Sequence, residues 1–318
     1  MTEKQCKKLS ELHRSVLLDE LVENINVHNS LKNIIVDCTL GMGGHATEVI
    51  KKMNSGDIFI GFDADYRNLE IVKPHLEKIA LENNVKIFFV NDNFNNLKIN
   101  LEKIGINEIT GIYYDFGLSS LHVDEAQRGF SFRFDGPLDM RFDETKGITA
   151  AQIINSYSKD DLFKIFKEYG EEPSSRKLSQ KIFDLRKTGF RFKTTKDLVE
   201  VISQVTTFPK AKTKIFQALR IETNQELEVI KNSMKEAISL LKSGGSIFAI
   251  SFHSLEDRIV KNIFRDESRD CICSEIVCVC NHKKQIIIKT KKPIEPSEKE
   301  IRENTRSRSA KARFAVKI

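Results

Sequence analysis

Short apolar runs alternate with amphipathic stretches along the first third of the chain. "NIIVDC" (33–38), "DIFIGFD" (57–63), "VKIFFV" (85–90) and "GIYYDFG" (111–117) are rich in β-branched and aromatic residues. Between them, "ATEVIKKM" and "RNLEIVKPHLEKIALENN" repeat apolar positions with the period of a helix. Fully apolar strands separated by helices predict βαβ units and a buried parallel sheet.

That rhythm breaks after Ser120. "RGFSFRFDGPLDMRFD" (128–143) alternates aromatic and polar residues, but its Gly-Pro pair marks an ordered loop. Three helical segments follow. "KDDLFKIFKEYG" puts Leu162, Ile165, Phe166 and Tyr169 on one face, and "SSRKLSQKIFDLRKTG" does the same with Leu178, Ile182 and Leu185. Gly189 closes the second as a C-cap residue, and Thr194-x-x-Asp197 opens the third, "TTKDLVEVISQV", with a capping pattern. The alternation then resumes. "NQELEVIKNSMKEAISLLKSGG" predicts a long helix ending in two glycines, followed by the buried strand "SIFAISFHS", with "QIIIKT" (285–290) and "ARFAVKI" (312–318) as further strands. The expectation is one α/β domain in two parts, 1–125 and 213–318, interrupted by an all-helical insertion at 126–212.

Composition narrows the class. The 318 residues, 40% hydrophobic and 30% charged, support a full-sized core. No apolar run approaches the roughly 18–20 residues of a membrane span, and "MTEKQCKKLSELHR" lacks the apolar centre of a secretory signal. A cytoplasmic protein with no membrane partner is expected. The net charge of +6 is uneven, because Lys283–Ile318 holds twelve Lys/Arg against four Glu. A basic C-terminal tail on a near-neutral body points to a polyanion, most often nucleic acid; the alternative is a solvated tail.

Cys6 and Cys38 stand alone, whereas Cys271, Cys273, Cys278 and Cys280 crowd together with His282 just beyond. A long chain without an export signal argues against a disulfide framework. Four close thiols and a histidine suit Zn²⁺, but C-x-C is not the usual knuckle spacing. Reduced surface cysteines are the default expectation, and no metal is assigned.

The candidate chemistry begins at "IIVDCTLGMGGHATEVI". Gly41, Gly43 and Gly44 sit where a strand turns into a helix, a place where glycine lets a ligand approach the main chain. A nucleotide P-loop needs Lys-Ser/Thr after its glycines, and His45-Ala46 stand there instead. A dinucleotide fingerprint wants G-x-G-x-x-G, from which G-x-G-G departs. The S-adenosylmethionine (SAM) turn of Rossmann-like methyltransferases remains. Asp63, closing the second strand, suits the hydroxyls of a ribose in either of the last two cases. Plain α/β punctuation is the alternative.

At "GIYYDFGLSSLHVDEAQRGFSFRFDGPLDMRFD" the chain resembles the RsmH (MraW) family, SAM-dependent methyltransferases of small-subunit ribosomal RNA. "HRSVLLDE" (13–20), "DCTLGMGGH" (37–45), "YGEEPSSRKLSQKI" (169–182), "KIFQALRIETNQEL" (214–227), "SFHSLEDRIVK" (251–261) and "RSRSAKAR" (306–313) extend the likeness almost end to end. The resemblance implies a seven-stranded, mostly parallel Rossmann-like sheet with an inserted helical substrate-recognition domain. It also implies methylation of the exocyclic N4 of a cytidine in the decoding region of the small ribosomal subunit, on 16S-type rRNA. Carried over by motif, Gly43, Gly44 and His45 would contact SAM, Asp63 the ribose and Phe94 the adenine, with Asp115 at the fourth strand's end. His122, a further cofactor contact by motif, stands where the family usually carries Gln, so that contact would persist through the imidazole or be lost, and "NTR" (304–306) replaces Asn-Pro-Arg. A homodimer is left open.

The residues suggest roles for such a reaction. A cytosine amino group is a poor nucleophile, so the site must accept its N–H and later receive its proton; a strand-end carboxylate, Asp115, suits that task. Ser119 and Ser120 offer hydroxyls, with loop and cap roles equally open. His253 ends the fifth strand and would position the target. The absence of Pro-Pro after Asp115 argues against the DNA amino-methyltransferases. A nucleotide in folded RNA must be splayed out. Phe130, Phe132 and Phe134 would stack on it, or else pack as a lid. Arg128, Arg133 and Arg141 would grip phosphates, and Arg306 and Arg308 of the tail would add salt-sensitive affinity. A non-catalytic rRNA-binding assembly factor is the rival; intact Asp63, Asp115 and glycine turn argue against it.

Overall fold

A computed structural model describes residues 15–25, 27–28, 32–273 and 279–318. Cys6, Cys278 and the side chain of Ser120 lie outside the described residues. The chain divides into two compact units, one built from the segments up to Gly117 and from Glu228 to Ile318, the other from Leu118–Leu227.

The first unit is a seven-stranded sheet in the order β3-β2-β1-β4-β5-β7-β6. Its strands are β1 (Ile34–Asp37), β2 (Ile58–Asp63), β3 (Lys86–Asn91), β4 (Ile109–Asp115), β5 (Leu241–Ser251), β6 (Ile286–Ile288) and β7 (Lys311–Lys317). The first five pair in parallel, and β7 runs antiparallel between β5 and β6. This is the α/β Rossmann-like sheet that the alternation implied. The helices are α1 (Leu18–Asn24), α2 (Gly44–Lys52), α3 (Tyr66–Glu82), α4 (Leu97–Lys103), α11 (Glu226–Leu240), α12 (Ser254–Glu267) and α13 (Glu298–Glu303). Apolar side chains of the strands feed two cores. One holds Val36, Ile60, Phe62, Ile112 and Tyr114 against Met234 and Ile263; the other holds Ile35, Phe59, Tyr113 and Phe248 against Val49, Val72 and Leu76. Burial on both faces is why these strands read as unbroken apolar runs.

Two details differ from the expectation. The long helix stops at Leu240, before its glycines, because β5 already pairs Leu241 with Ile109 and then slips register to pair Ser246 with Gly111. The basic C-terminal segment is no tail. Arg313 is 9% exposed and forks onto Asp257 at 2.7 and 3.1 Å, and Lys317 reaches the Ile238 carbonyl at 2.9 Å. Its charges are partly consumed in holding β7 in the sheet.

The second unit holds α5 (Ser120–Asp124), α6 (Ala150–Ser156), α7 (Lys159–Glu168), α8 (Ser175–Lys187), α9 (Thr195–Val205) and α10 (Ala211–Asn224). Leu162, Ile165, Phe166, Leu178 and Ile182 form its core with Phe192, Leu198, Ile215 and Leu219. Thr194 and Asp197 make the reciprocal capping box at the start of α9, and Gly189 takes φ 92° just past α8. This unit extends to either side of 126–212. Leu118 packs on its core at one end, and Ile215, Phe216, Ala218 and Leu219 of α10 supply core at the other.

Candidate cofactor site and reactive carboxylate

All strand-end candidates of the first unit fall along the carboxyl edge of the parallel strands. Asp37 pairs across to Gly61 and Tyr113, Asp63 to Asn91, and Asp115 to Ile250. Between β1 and β4 the chain reverses its direction of sheet growth, the place where open α/β sheets bind ligands. Thr39 ties the two strands there. Its N–H donates to Asp37 Oδ1 at 2.9 Å, and its hydroxyl oxygen accepts from the Asp115 N–H at 2.7 Å.

The glycine turn is fastened to β2. The Gly41 N–H donates to Asp63 Oδ2 at 2.8 Å, the Asp65 N–H to Asp63 Oδ1 at 2.8 Å, and the Asn68 amide to Oδ2 at 3.1 Å. Both oxygens of Asp63 are therefore oriented by the protein, with lone pairs left for ribose hydroxyls. Gly43 has φ 73°, and a Cβ there would lie 2.4 Å from Val72 Cγ2; one on Gly44 would lie 2.0 Å from Ser15 Oγ. Gly43 is required by its positive φ and by Val72 and Leu76, whereas at Gly44 the Ser15 hydroxyl would have to swing aside. Gly41, at φ 51°, is the open one, with nothing nearer than the Thr39 carbonyl oxygen at 3.8 Å from its notional Cβ. Phe94 follows β3 and rests edge-on against Tyr114, ring centres 5.6 Å apart.

His45 is 6% exposed and hydrogen-bonded through Nε2 to the Val16 carbonyl at 2.9 Å. A carbonyl only accepts, so Nε2 carries the proton and Nδ1 is a lone pair. That Nδ1 lies 3.6 Å from Asp115 Oδ2. Burial holds this imidazole below its ordinary pKa, so it stays neutral beside the carboxyl.

Asp115 is the chemically distinctive residue. Its side chain is 27% exposed, yet Oδ1 is shut from solvent with no hydrogen-bond partner. Burial, and then the nearby Glu256 carboxylate, push its pKa up to about 7. Burial, with a smaller push from the Asp115 carboxylate, lifts Asp37 to about 7 as well. An orphaned carboxylate oxygen at the switch point fits a cationic or N–H-bearing ligand, and the open Gly41, fixed Asp63 and Phe94 ring fit a nucleoside beside it.

Glu256 was not singled out by sequence reasoning. It is 1% exposed, and its Oε2 accepts from the N–H of Phe252 at 2.7 Å and of His253 at 3.2 Å. His253 is the N-cap of α12: its Nδ1 accepts from the Glu256 N–H at 3.4 Å, and its Nε2 lies 3.0 Å from Glu256 Oε1. The spacing H-x-x-E, an imidazole in place of the usual hydroxyl of a capping box, was the available signal.

In the second unit, Ser119 caps α5 by accepting from the His122 N–H at 3.4 Å. The His122 ring, 4% exposed, clusters with the stacked Phe130 and Phe142 rings, at 4.9 and 5.2 Å from them. Arg128 is corrected from a phosphate-gripping side chain to a buried organiser. It is 1% exposed, and its Nη2 donates to the carbonyls of Arg141 at 2.7 Å and Phe142 at 3.0 Å. Arg141 is forked onto Asp139 at 2.9 and 2.8 Å. Arg133, Phe132 and Phe134 remain exposed, while Phe130 is buried. Arg306 and Arg308 are exposed on a short 3₁₀ turn.

The sheet order, the glycine turn and the acids at successive strand ends define a Rossmann-like, SAM-dependent methyltransferase. Residues 10–318 match the sequence profile of the MraW methylase family, and the chain belongs to that family. It is 44% identical over 317 residues to the ribosomal RNA small subunit methyltransferase H of Finegoldia magna, covering 96% of this chain and 98% of that protein. The proteins of the same name from Clostridioides difficile and Halothermothrix orenii are 44% and 40% identical, with 96% of this chain covered and 99% and 98% of theirs. No described helix is long and apolar enough to cross a membrane.

Proposed function

We propose that this protein methylates the exocyclic N4 of a cytidine in the decoding region of small-subunit, 16S-type ribosomal RNA, in the cytoplasm. The rRNA substrate rests on the names of the relatives. The preference for an amino nitrogen rests on one observation, the orphaned Oδ1 of Asp115 at the switch point.

SAM, when bound, supplies an electrophilic methyl group on a sulfonium. Asp63 orients the ribose, Phe94 flanks the adenine, and Gly41 allows close approach of the main chain. Gly43, Gly44 and His45 act by shaping the turn against which the ligand lies. Asp115 accepts one amino N–H of the base, turning lone-pair density toward the methyl, and takes up the proton that the methylated nitrogen sheds. A carboxyl with a pKa of about 7 is well matched to that exchange near neutral pH. His253 is a positioning residue that fixes Glu256, whose charge raises the basicity of Asp115. The helical unit recognises substrate through Arg133 and the exposed Phe132 and Phe134, with Ser119 and His122 shaping the loop behind them. Arg306 and Arg308 add phosphate contacts from the first unit.

Small subunits from cells lacking this protein are the substrate for the test, with labelled SAM and nucleoside mass spectrometry as the readout. Labelled N4-methylcytidine, absent with Asp115→Ala, is expected. Label on a ring carbon, a ribose or another base would overturn the reading.

A further inference from the structure

The geometry points to a zinc site, separate from the SAM pocket, held by Cys271, Cys273 and Cys280. It lies in the excursion 268–284 that joins α12 to β6. The base of this excursion is closed by the Gln285 N–H donating to the Glu267 carbonyl at 2.8 Å and by His282 Nε2 on the Asp266 carbonyl at 3.1 Å. Among the described residues beyond that base, Ile272 is 50% and Val279 74% exposed. A segment of this length with neither core nor secondary structure among its described residues needs another constraint.

The three sulfurs supply one. They lie within 4.8 Å of one another, and Cys271 Sγ is 3.9 Å from Cys280 Sγ. A disulfide would bring two of them to about 2 Å, and none of the three is in a disulfide. Thiolates at about 2.3 Å from a tetrahedral Zn²⁺ stand about 3.8 Å apart, close to the 3.9 Å between Cys271 and Cys280, and Cys273 lies within 4.8 Å of both. Sulfurs bonded to different irons of a cluster stand farther apart, so the spacing favours a single ion. The main chain is already folded for thiolates: the Cys273 N–H donates to Cys271 Sγ and the Val279 N–H to Cys273 Sγ, each at 3.4 Å. Such N–H···S contacts stabilise negative sulfur and orient it toward a metal. His282, turned to Asp266, anchors the base and is not a ligand. The ion staples the excursion, and each ligating thiol gives up its proton on binding, so affinity falls as the pH drops.

The full chain, purified under reducing conditions without chelator, is assayed for metal by mass spectrometry. About one zinc per chain is expected, retained in Cys6→Ser and lost at least fivefold in Cys271→Ser and Cys280→Ser. Cobalt substitution gives thiolate-to-metal charge-transfer bands and the intense visible bands of a tetrahedral ion. Thiol titration of the folded wild-type chain covers the case in which a variant fails to fold. At least three thiols become newly reactive when a strong chelator is added. A metal-free chain that takes up no zinc, thiol reactivity unmoved by chelator, or an iron chromophore would each overturn the assignment.

Discussion

The carboxyl edge of the sheet carries two acids at equivalent strand ends, and their surroundings could hardly differ more. At β2, both oxygens of Asp63 accept from donors of the glycine turn and of the start of α3. At β4, Asp115 has one oxygen without a partner, a neutral imidazole at 3.6 Å and a buried glutamate raising its pKa. A carboxylate whose lone pairs are organised by backbone N–H groups stays ionised and holds its shape, which suits binding. One left short of donors holds a proton more tightly, which suits chemistry. On the function proposed above, the protein separates holding from reacting along a single edge.

The largest effect should come from Asp115→Asn, which keeps the shape and removes the base. Methyl transfer in a single turnover falls by about 10²–10⁴-fold, while SAM affinity stays within about tenfold. An equal loss in affinity and rate would erase the distinction between the two acids. A structural contrast of similar size concerns Arg128. Arg128→Met removes two charge-assisted bonds to the Arg141 and Phe142 carbonyls and should destabilise the helical unit by about 2–4 kcal/mol, read as a lower urea midpoint. Asp63→Ala comes next. It should raise the KM for SAM by roughly 10–100-fold and leave the single-turnover rate at saturation nearly unchanged.

The pH dependence sharpens the contrast further. The Asp115 carboxyl titrates at about 7 in the protein without ligand, and a sulfonium beside it favours the ionised form. SAM affinity therefore rises as pH increases toward and through 7, by up to about tenfold per unit. Affinity for the uncharged thioether product should rise far less. Isothermal titration at pH 6 and pH 8 with both ligands measures this, and Asp115→Asn should flatten the SAM profile. Folding has the opposite sign: the raised pKa contributes stability at low pH that is lost as pH climbs from the unfolded value of 3.8 to about 7. Smallest is Arg133→Ala, which leaves the melting curve in place and lowers the salt slope of RNA binding by about one.

Much of this was legible in the chain. Strands buried on both faces must be apolar throughout, so β1, β2, β4 and the second half of β5 announce themselves, and Thr194 with Asp197 signals a helix start because the capping bonds are local. Asp63 and Asp115 were legible because each closes an apolar run. What failed to show was partnership across the fold. Arg128 and Arg133 look alike in "RGFSFRF", yet one is 1% exposed and the other exposed. Glu256 gave only a capping pattern, and nothing near it in sequence indicates that its charge bears on Asp115.

The sequence by itself determined the succession of strands and helices, the acids at the strand ends and the family, since all depend on residues close together along the chain. Tertiary structure alone decided which of those groups keep a polar atom unsatisfied. It left Asp115 Oδ1 without a donor, consumed Arg128 and Arg313 in internal bonds, and turned Gly43 and Gly44 toward Val72 and Ser15. It also drew three thiols, from a spacing unlike the usual zinc knuckle, to within 4.8 Å of one another. The reason is that desolvation and hydrogen-bond competition are settled by whatever packs nearest in space, and those neighbours come from distant parts of the chain.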